Sequence, residues 1–231
     1  MNRISIGSWL RDFEDLSWRG AVSVVDKKAH WQNLYREKAP TEVSWHQSEP
    51  ELSLQLMHSS GIDRDEAVID VGGGASLLVD YLWKEGFSNL AVLDISGYAL
   101  SVAKQRLGDA AASIEWYETD VTEFMPPHPF SLWHDRAVFH FLTAKPDREK
   151  YIDALNLALR PNGHLVIAAF AIGGPEKCSG LDIVQYDAAK LMRELGKGFE
   201  LMEEREELHV TPAGGEQKFT YFRFSKTEAT V

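Results

Sequence analysis

From residue 67 onward, short apolar runs recur along the chain as AVIDV, LAVLDI, IEWYETD, FSLWHD and HLVIAAF. Runs of this length, rich in β-branched and aromatic residues, predict strands. Most of the gaps between them carry apolar positions at helical spacing, as in ASLLVDYLWKEG, SGYALSVAKQRLG and KPDREKYIDALNLALRPNG. Strand, helix and strand in alternation predict a parallel sheet buried on both faces. After YDAAKLMRELGKG the alternation stops, and two further runs, FELMEEREELHVT and EQKFTYFRFSK, flank PAGG. A tight Gly-Gly connection demands an antiparallel hairpin. The expected fold is α/β: a doubly wound, mostly parallel sheet of seven strands ending in a C-terminal antiparallel hairpin.

Upstream the pattern is less regular. AHWQNLYREK predicts a short helix, Pro40 a break, and PELSLQLMHSSG a helix that Gly61 ends. Residues 1–27 bear tryptophans without periodicity and read as a lid or a packed arm. The expected organisation is an N-terminal arm with lid helices over residues 1–60, packed on a core domain over 61–231.

Composition narrows the partners. With 231 residues, 44% hydrophobic and 26% charged, one large core is affordable. A formal net charge of -11 argues against a nucleic-acid partner, because phosphate neutralisation needs a basic face. Cys178 is the single cysteine, so no intramolecular disulfide forms, and no Cys/His spacing suggests a metal site. No apolar run reaches a membrane span, and Arg3, Arg11 and Arg19 mixed with Asp12, Glu14 and Asp15 do not resemble a targeting peptide. A cytoplasmic protein is expected; its oligomeric state is not legible.

Ligands of such sheets sit beyond the carboxyl ends of the strands. There the stretch VIDVGGGASLLVDYLW exposes Gly72, Gly73 and Gly74 between a strand and a helix. A dinucleotide fingerprint would need a glycine where Leu77 stands, which weakens a phosphate-binding reading. Asp94, closing the second run with Ile95 beside it, suits two ribose hydroxyls in either case. Asp120, at the end of the third run, can accept from an exocyclic adenine amine while the Val121 N–H meets a ring nitrogen. Carboxylates on successive strand ends describe adenosine without phosphate.

Taken in order, VIDVGGGAS, LAVLDIS, IEWYETDVTEF and FSLWHDRAVFHFL resemble the successive motifs of the class I S-adenosylmethionine-dependent methyltransferases, over about residues 66–225. The resemblance implies a Rossmann-like fold, S-adenosyl-L-methionine as cofactor and methyl transfer as the activity. It places Asp70, Gly72, Gly73 and Gly74 around the methionyl part, Asp94 at the ribose, and Asp120 with Val121 at the adenine. The loop departs from the family pattern near Ser76, where a third glycine is usual. HWQNLYREKAPTEVSWHQ also resembles the aromatic motif with which thiopurine and thiol methyltransferases cover their cofactor. Trp31 and Tyr35, four apart on a helix, would share one face, and a sulfonium cation attracts aromatic faces.

HDRAVFH supplies the catalytic candidates. His140, on a short helix after the fourth run, is the expected base; His134 is expected to point into the core. Asp135 is expected to orient the acceptor or the methionyl amine, and Arg136 to pair with Asp135 or Asp120. Cys178 sits in a glycine-rich loop expected to overhang the acceptor and to be inert. Glu203 to Glu207 read as the solvated side of a strand. The leading expectation for the acceptor is a small molecule such as a thiol or another soft nucleophile, with a protein lysine as the alternative. A nicotinamide-dependent reductase and a non-catalytic cofactor-binding regulator stand behind these.

Overall fold

The computed structural model describes residues 26–228, so the expectation for the tryptophan-bearing N-terminal stretch lies almost wholly outside the described residues. Two helices come first, α1 (Lys27–Glu37) and α2 (Glu51–His58). Asp26 starts α1 by accepting the Ala29 N–H, one of the amides a helix start leaves without a partner.

Strands and helices then alternate as β1 (Val68–Val71), α3 (Leu78–Lys84), β2 (Leu90–Asp94), α4 (Gly97–Leu107), β3 (Ile114–Glu118), β4 (Phe130–Arg136), α5 (Lys145–Ala158) and β5 (Leu159–Phe170). A two-residue pair, β6 (Lys177–Cys178) with β7 (Leu181–Asp182), precedes α6 (Ala188–Leu195) and the hairpin of β8 (Phe199–Val210) and β9 (Glu216–Lys226). The seven-stranded sheet runs β3-β2-β1-β4-β5-β9-β8, parallel from β3 to β5 and antiparallel beyond. The order reverses between β1 and β4, where a crevice opens at the strand ends.

Successive side chains of a strand point to opposite faces, so a strand covered on both sides must be apolar throughout. Val68, Leu132 and Val166 enter one cluster with Leu54, Leu56 and Met57 of α2. Their neighbours Ile69, Trp133 and Ile167 enter the other with Tyr151 and Leu155 of α5. Among the described residues no helix is long and apolar enough to cross a membrane.

One boundary differs from expectation. The fifth helix was expected to reach into ALRPNG, yet it stops at Ala158 and β5 begins at Leu159. Pro161 has no N–H to continue a helix, and Asn162 adopts φ +59, a left-handed conformation that asparagine tolerates.

Candidate functional site

At the carboxyl ends of β1, β2 and β4 lies a cavity of about 110 Å³, lined by Gly72, Asp94, Ile95, Asp120 and Val121. Trp31, Trp45, Arg136, Phe141, Cys178 and Phe219 line it too. A second cavity of about 60 Å³ lies behind the glycine loop and shares Tyr35, Trp45, Gly72 and Arg136 with the first.

The loop is bare because its surroundings leave no room. A Cβ on Gly73 would stand 2.5 Å from Asp70 Oδ2, one on Gly74 2.5 Å from Asp94 Oδ2, and one on Gly72 would overlap Val138. Gly72 and Gly74 also have φ of +69 and +29, which side chains disfavour. The chain therefore threads between two buried carboxylates. Arg106 holds its far end, donating to Asp80 at 2.9 and 2.6 Å and to the carbonyls of Ala75 and Ser76 at 3.1 and 2.6 Å. Ser76, where the family pattern is broken, accepts the Leu78 N–H at 3.1 Å and so begins α3.

Asp94 is 6% exposed and accepts the Ser96 N–H at 2.7 Å. Burial pushes its carboxyl up to about 7; the Ser96 N–H opposes this and the nearby Asp70 adds to it. Asp120 uses Oδ1 to accept from the Thr122 N–H at 2.9 Å and the Thr122 hydroxyl at 2.8 Å, opening a single 3-10 turn at Val121–Glu123. Ile95 is half-buried and lines the same cavity as Asp94 and Asp120.

Helix α1 lies against the cavity, which its Lys27, Trp31 and Tyr35 line. Gln32 Oε1 accepts from the Ser96 hydroxyl at 2.6 Å and the Tyr98 N–H at 2.8 Å, Lys28 reaches Glu118 at 2.7 Å, and Lys27 reaches Asp147 at 2.8 Å. So held, the helix turns Trp31 and Tyr35 onto the cavity wall, as their spacing implies. The Trp31 ring meets Trp45 at 5.7 Å and Phe141 at 5.0 Å, both edge-on. Burial raises the Tyr35 phenol well above its ordinary range.

The catalytic candidates are placed differently. Asp135 is fully buried behind the wall, accepting the Val138 N–H at 2.8 Å, the Phe139 N–H at 3.0 Å and the Tyr151 hydroxyl at 2.6 Å. Burial lifts its carboxyl to about 6 against the pull of these donors. It shapes the turn in which Ala137 adopts φ +72 and Val138 reaches the cavity. His140 is also fully buried, packed on Phe141 and Phe170, and among the described residues neither ring nitrogen finds a hydrogen-bond partner. Burial, then the charge of Arg136, pushes its imidazole down to about 3. Three residues complete a 3-10 turn, so Phe141 and His140 cannot face the same way, and Phe141 takes the cavity.

Arg136 does not pair with Asp135 or Asp120. It donates to the Tyr221 hydroxyl at 2.7 Å and the Trp45 carbonyl at 3.0 Å, lies 3.5 Å from Glu207, and stacks 4.5 Å over the Phe219 ring. Beside it Cys178 is buried, and burial raises its thiol. Gln217 also lines the cavity, its Oε1 buried without a partner among the described residues. The sequence reading passed over Trp45, Val138, Phe141, Gln217 and Phe219 as site residues. SWHQ and FHF carried an aromatic signal for two of them; the N-terminal part of β9 carried none.

The family model described as "Methyltransferase domain" matches residues 69–167. "EEF1A lysine methyltransferase 2" of Danio rerio is 25% identical over 166 residues, covering 64% of this chain and 70% of that protein. The Homo sapiens protein of the same name is 23% identical over 200 residues, covering 79% and 78%. Among solved structures, the N-methyltransferase NodS from Bradyrhizobium japonicum WM9 in complex with S-adenosyl-l-homocysteine superposes with a TM-score of 0.66 at 21% identity. That likeness covers 86% of this chain and 99% of NodS, and it is a likeness of fold.

Proposed function

We propose that this chain, a member of the class I S-adenosylmethionine-dependent methyltransferases, transfers its methyl group to a lysine side chain of a protein. The relatives at 25% and 23% identity carry that activity in their names, and this observation carries the choice of acceptor. It moves the leading expectation from a small molecule to a protein amine.

The residues fit the cofactor. The glycine loop is drawn tight over Asp70 and Asp94 with Gly72 on the cavity wall, and Asp70 Oδ2 beneath it is buried without a donor among the described residues. Bound there, S-adenosylmethionine supplies an electrophilic methyl on a sulfonium. In this reading Asp94 accepts from the ribose hydroxyls, Asp120 and Val121 meet the adenine edge with Ile95 against its face, and Asp70 with Gly72, Gly73 and Gly74 surrounds the methionyl end. Trp31 and Tyr35 cover the site and offer ring faces to the cation.

The other end takes the acceptor. Trp45, Phe141 and Phe219 form an apolar sleeve for an aliphatic stem, and Arg136 is neutralised by Glu207. An ammonium drawn into such a sleeve loses solvation and so loses its proton more readily. The neutral amine is then aligned with the methyl, and orientation with exclusion of water carries the rate. Neither His140 nor Asp135 lies on this wall, so desolvation takes the place of the expected base.

A small-molecule acceptor is the second reading, favoured by the enclosure that α1 and Trp31 give the cavity. Incubating the protein and labelled S-adenosylmethionine with cell extract, then fractionating by size, separates the two. Label on a lysine Nε located by mass spectrometry is the expected result. Label confined to low-mass products would overturn the lysine reading.

A further inference from the structure

We infer that Ser53 and His134 are positioning residues that hold Asp70 with one carboxylate oxygen free for the α-ammonium of the cofactor, so that docking of α2 sets cofactor affinity. The inference rests on the methyl-donor reading of the cavity.

Three elements meet here. Asp70 of β1, His134 of β4 and Ser53 of α2 are 4%, 3% and 1% exposed. His134 Nδ1 lies 2.7 Å from Asp70 Oδ1, and its Nε2 lies 2.9 Å from Ser53 Oγ. With Asp70 a carboxylate, Nδ1–H of His134 donates to its Oδ1, and Ser53 Oγ holds the far side of the ring at Nε2. The relay occupies one oxygen of Asp70 and leaves Oδ2 buried with no donor among the described residues.

A buried carboxylate oxygen left unpaired costs free energy that a cationic N–H donor would recover. Such a donor has a place to sit. All three residues line the cavity of about 60 Å³ that also touches Gly72 and Gly73, and Oδ2 lies directly under Gly73. This cavity adjoins the wall where Asp94 awaits the ribose, so the amino-acid end of the same ligand reaches it. Without His134 the Asp70 carboxylate could rotate about its own bonds; without Ser53 the ring could flip. In either case the free oxygen loses its fixed direction.

Calorimetric titration of Ser53→Ala, His134→Asn and Asp70→Asn with two nucleosides tests this. S-adenosylhomocysteine carries the ammonium; 5′-methylthioadenosine lacks the amino-acid part. The expected result is a loss of roughly three- to tenfold in S-adenosylhomocysteine affinity for Ser53→Ala, as for one lost hydrogen bond. A larger loss is expected for His134→Asn and Asp70→Asn, with methylthioadenosine affinity unchanged throughout. Equal losses for both nucleosides would make the relay a packing device and overturn the inference, as would no loss for either. Should His134→Asn fail to fold, Ser53→Ala and Asp70→Asn carry the comparison. A wild-type protein that binds neither nucleoside would overturn the methyl-donor reading itself, a result distinct from the others.

Discussion

Asp94 is buried beside Asp70 with one backbone donor to offset the loss of water, so its carboxylate is held at a cost that a ribose would relieve. Asp94→Ala removes both the ligand contact and that cost. The expected outcome is a loss of roughly 10²- to 10⁴-fold in S-adenosylhomocysteine affinity, from two hydrogen bonds to a charged group, without a fall in the melting point of the ligand-free protein. Titration calorimetry with a thermal melt reads both, and an unchanged dissociation constant would place the ribose elsewhere. His140 presents the opposite case. Its nitrogens have no partner among the described residues and its ring packs on two aromatic rings, so His140→Asn is expected to destabilise by about 1–3 kcal/mol, as core substitutions commonly do. Cofactor affinity and the rate of methyl transfer should stay near wild type. A loss of 10²-fold or more in rate with the melting point preserved would restore the histidine as a base.

The helix that closes the site makes its own prediction. Helix α1 is tied through Gln32, Lys27 and Lys28, none of which depends on Trp31. Trp31→Ala should therefore leave the fold in place while opening the mouth, weakening S-adenosylhomocysteine by roughly three- to tenfold through lost aromatic contact. Calorimetry decides it, and undiminished affinity would remove the helix from the cofactor site. This helix was legible because Trp31 and Tyr35 fall on one face, just as the strands were legible because sheets covered on both sides need unbroken apolar runs. The partners of Arg136 were not. Tyr221 and Glu207 lie 85 and 71 residues away in sequence, and they meet it only because β9 inserts beside β5 and brings β8 with it. The same crossing delivers Phe219 and Gln217 to the cavity. No local pattern records which strand will be a neighbour. The placement of His140 was not legible for a different reason: a 3-10 turn places consecutive side chains about 120° apart, and the sequence FHF does not say which of the three lines the cavity.

For the whole molecule these buried groups make stability and ligand binding depend on pH in opposite directions. Burial raises Asp94 from 3.8 to about 7 and Asp135 from 3.8 to about 6, and lowers His140 from 6.5 to about 3. Between pH 4 and 6 the two carboxyls bind more protons folded than unfolded and the histidine fewer, so their contributions to the slope oppose each other. Above about 7.5 the histidine is mostly neutral in both states and Asp135 is ionised in both, which leaves Asp94 to dominate this set. Its contribution is fully present below 3.8 and is lost as pH rises through 7. Ribose hydroxyls that donate to the carboxylate favour its ionised form, so the cofactor must bind with release of a proton wherever Asp94 is still protonated. Affinity for S-adenosylhomocysteine should therefore rise roughly tenfold from pH 6 to pH 8 and level off beyond, following the ionised fraction of a group that titrates near 7. The melting-point increment given by a fixed ligand concentration should grow over the same range. Calorimetry in two buffers of different ionisation enthalpy would count the released proton at pH 6. Asp94→Asn, which cannot ionise, should bind more weakly and show neither the slope nor the proton. A wild-type affinity that is flat from pH 6 to 8 would mean that Asp94 is already ionised in the ligand-free protein, and that the burial of two neighbouring carboxylates is borne by groups other than their own protons.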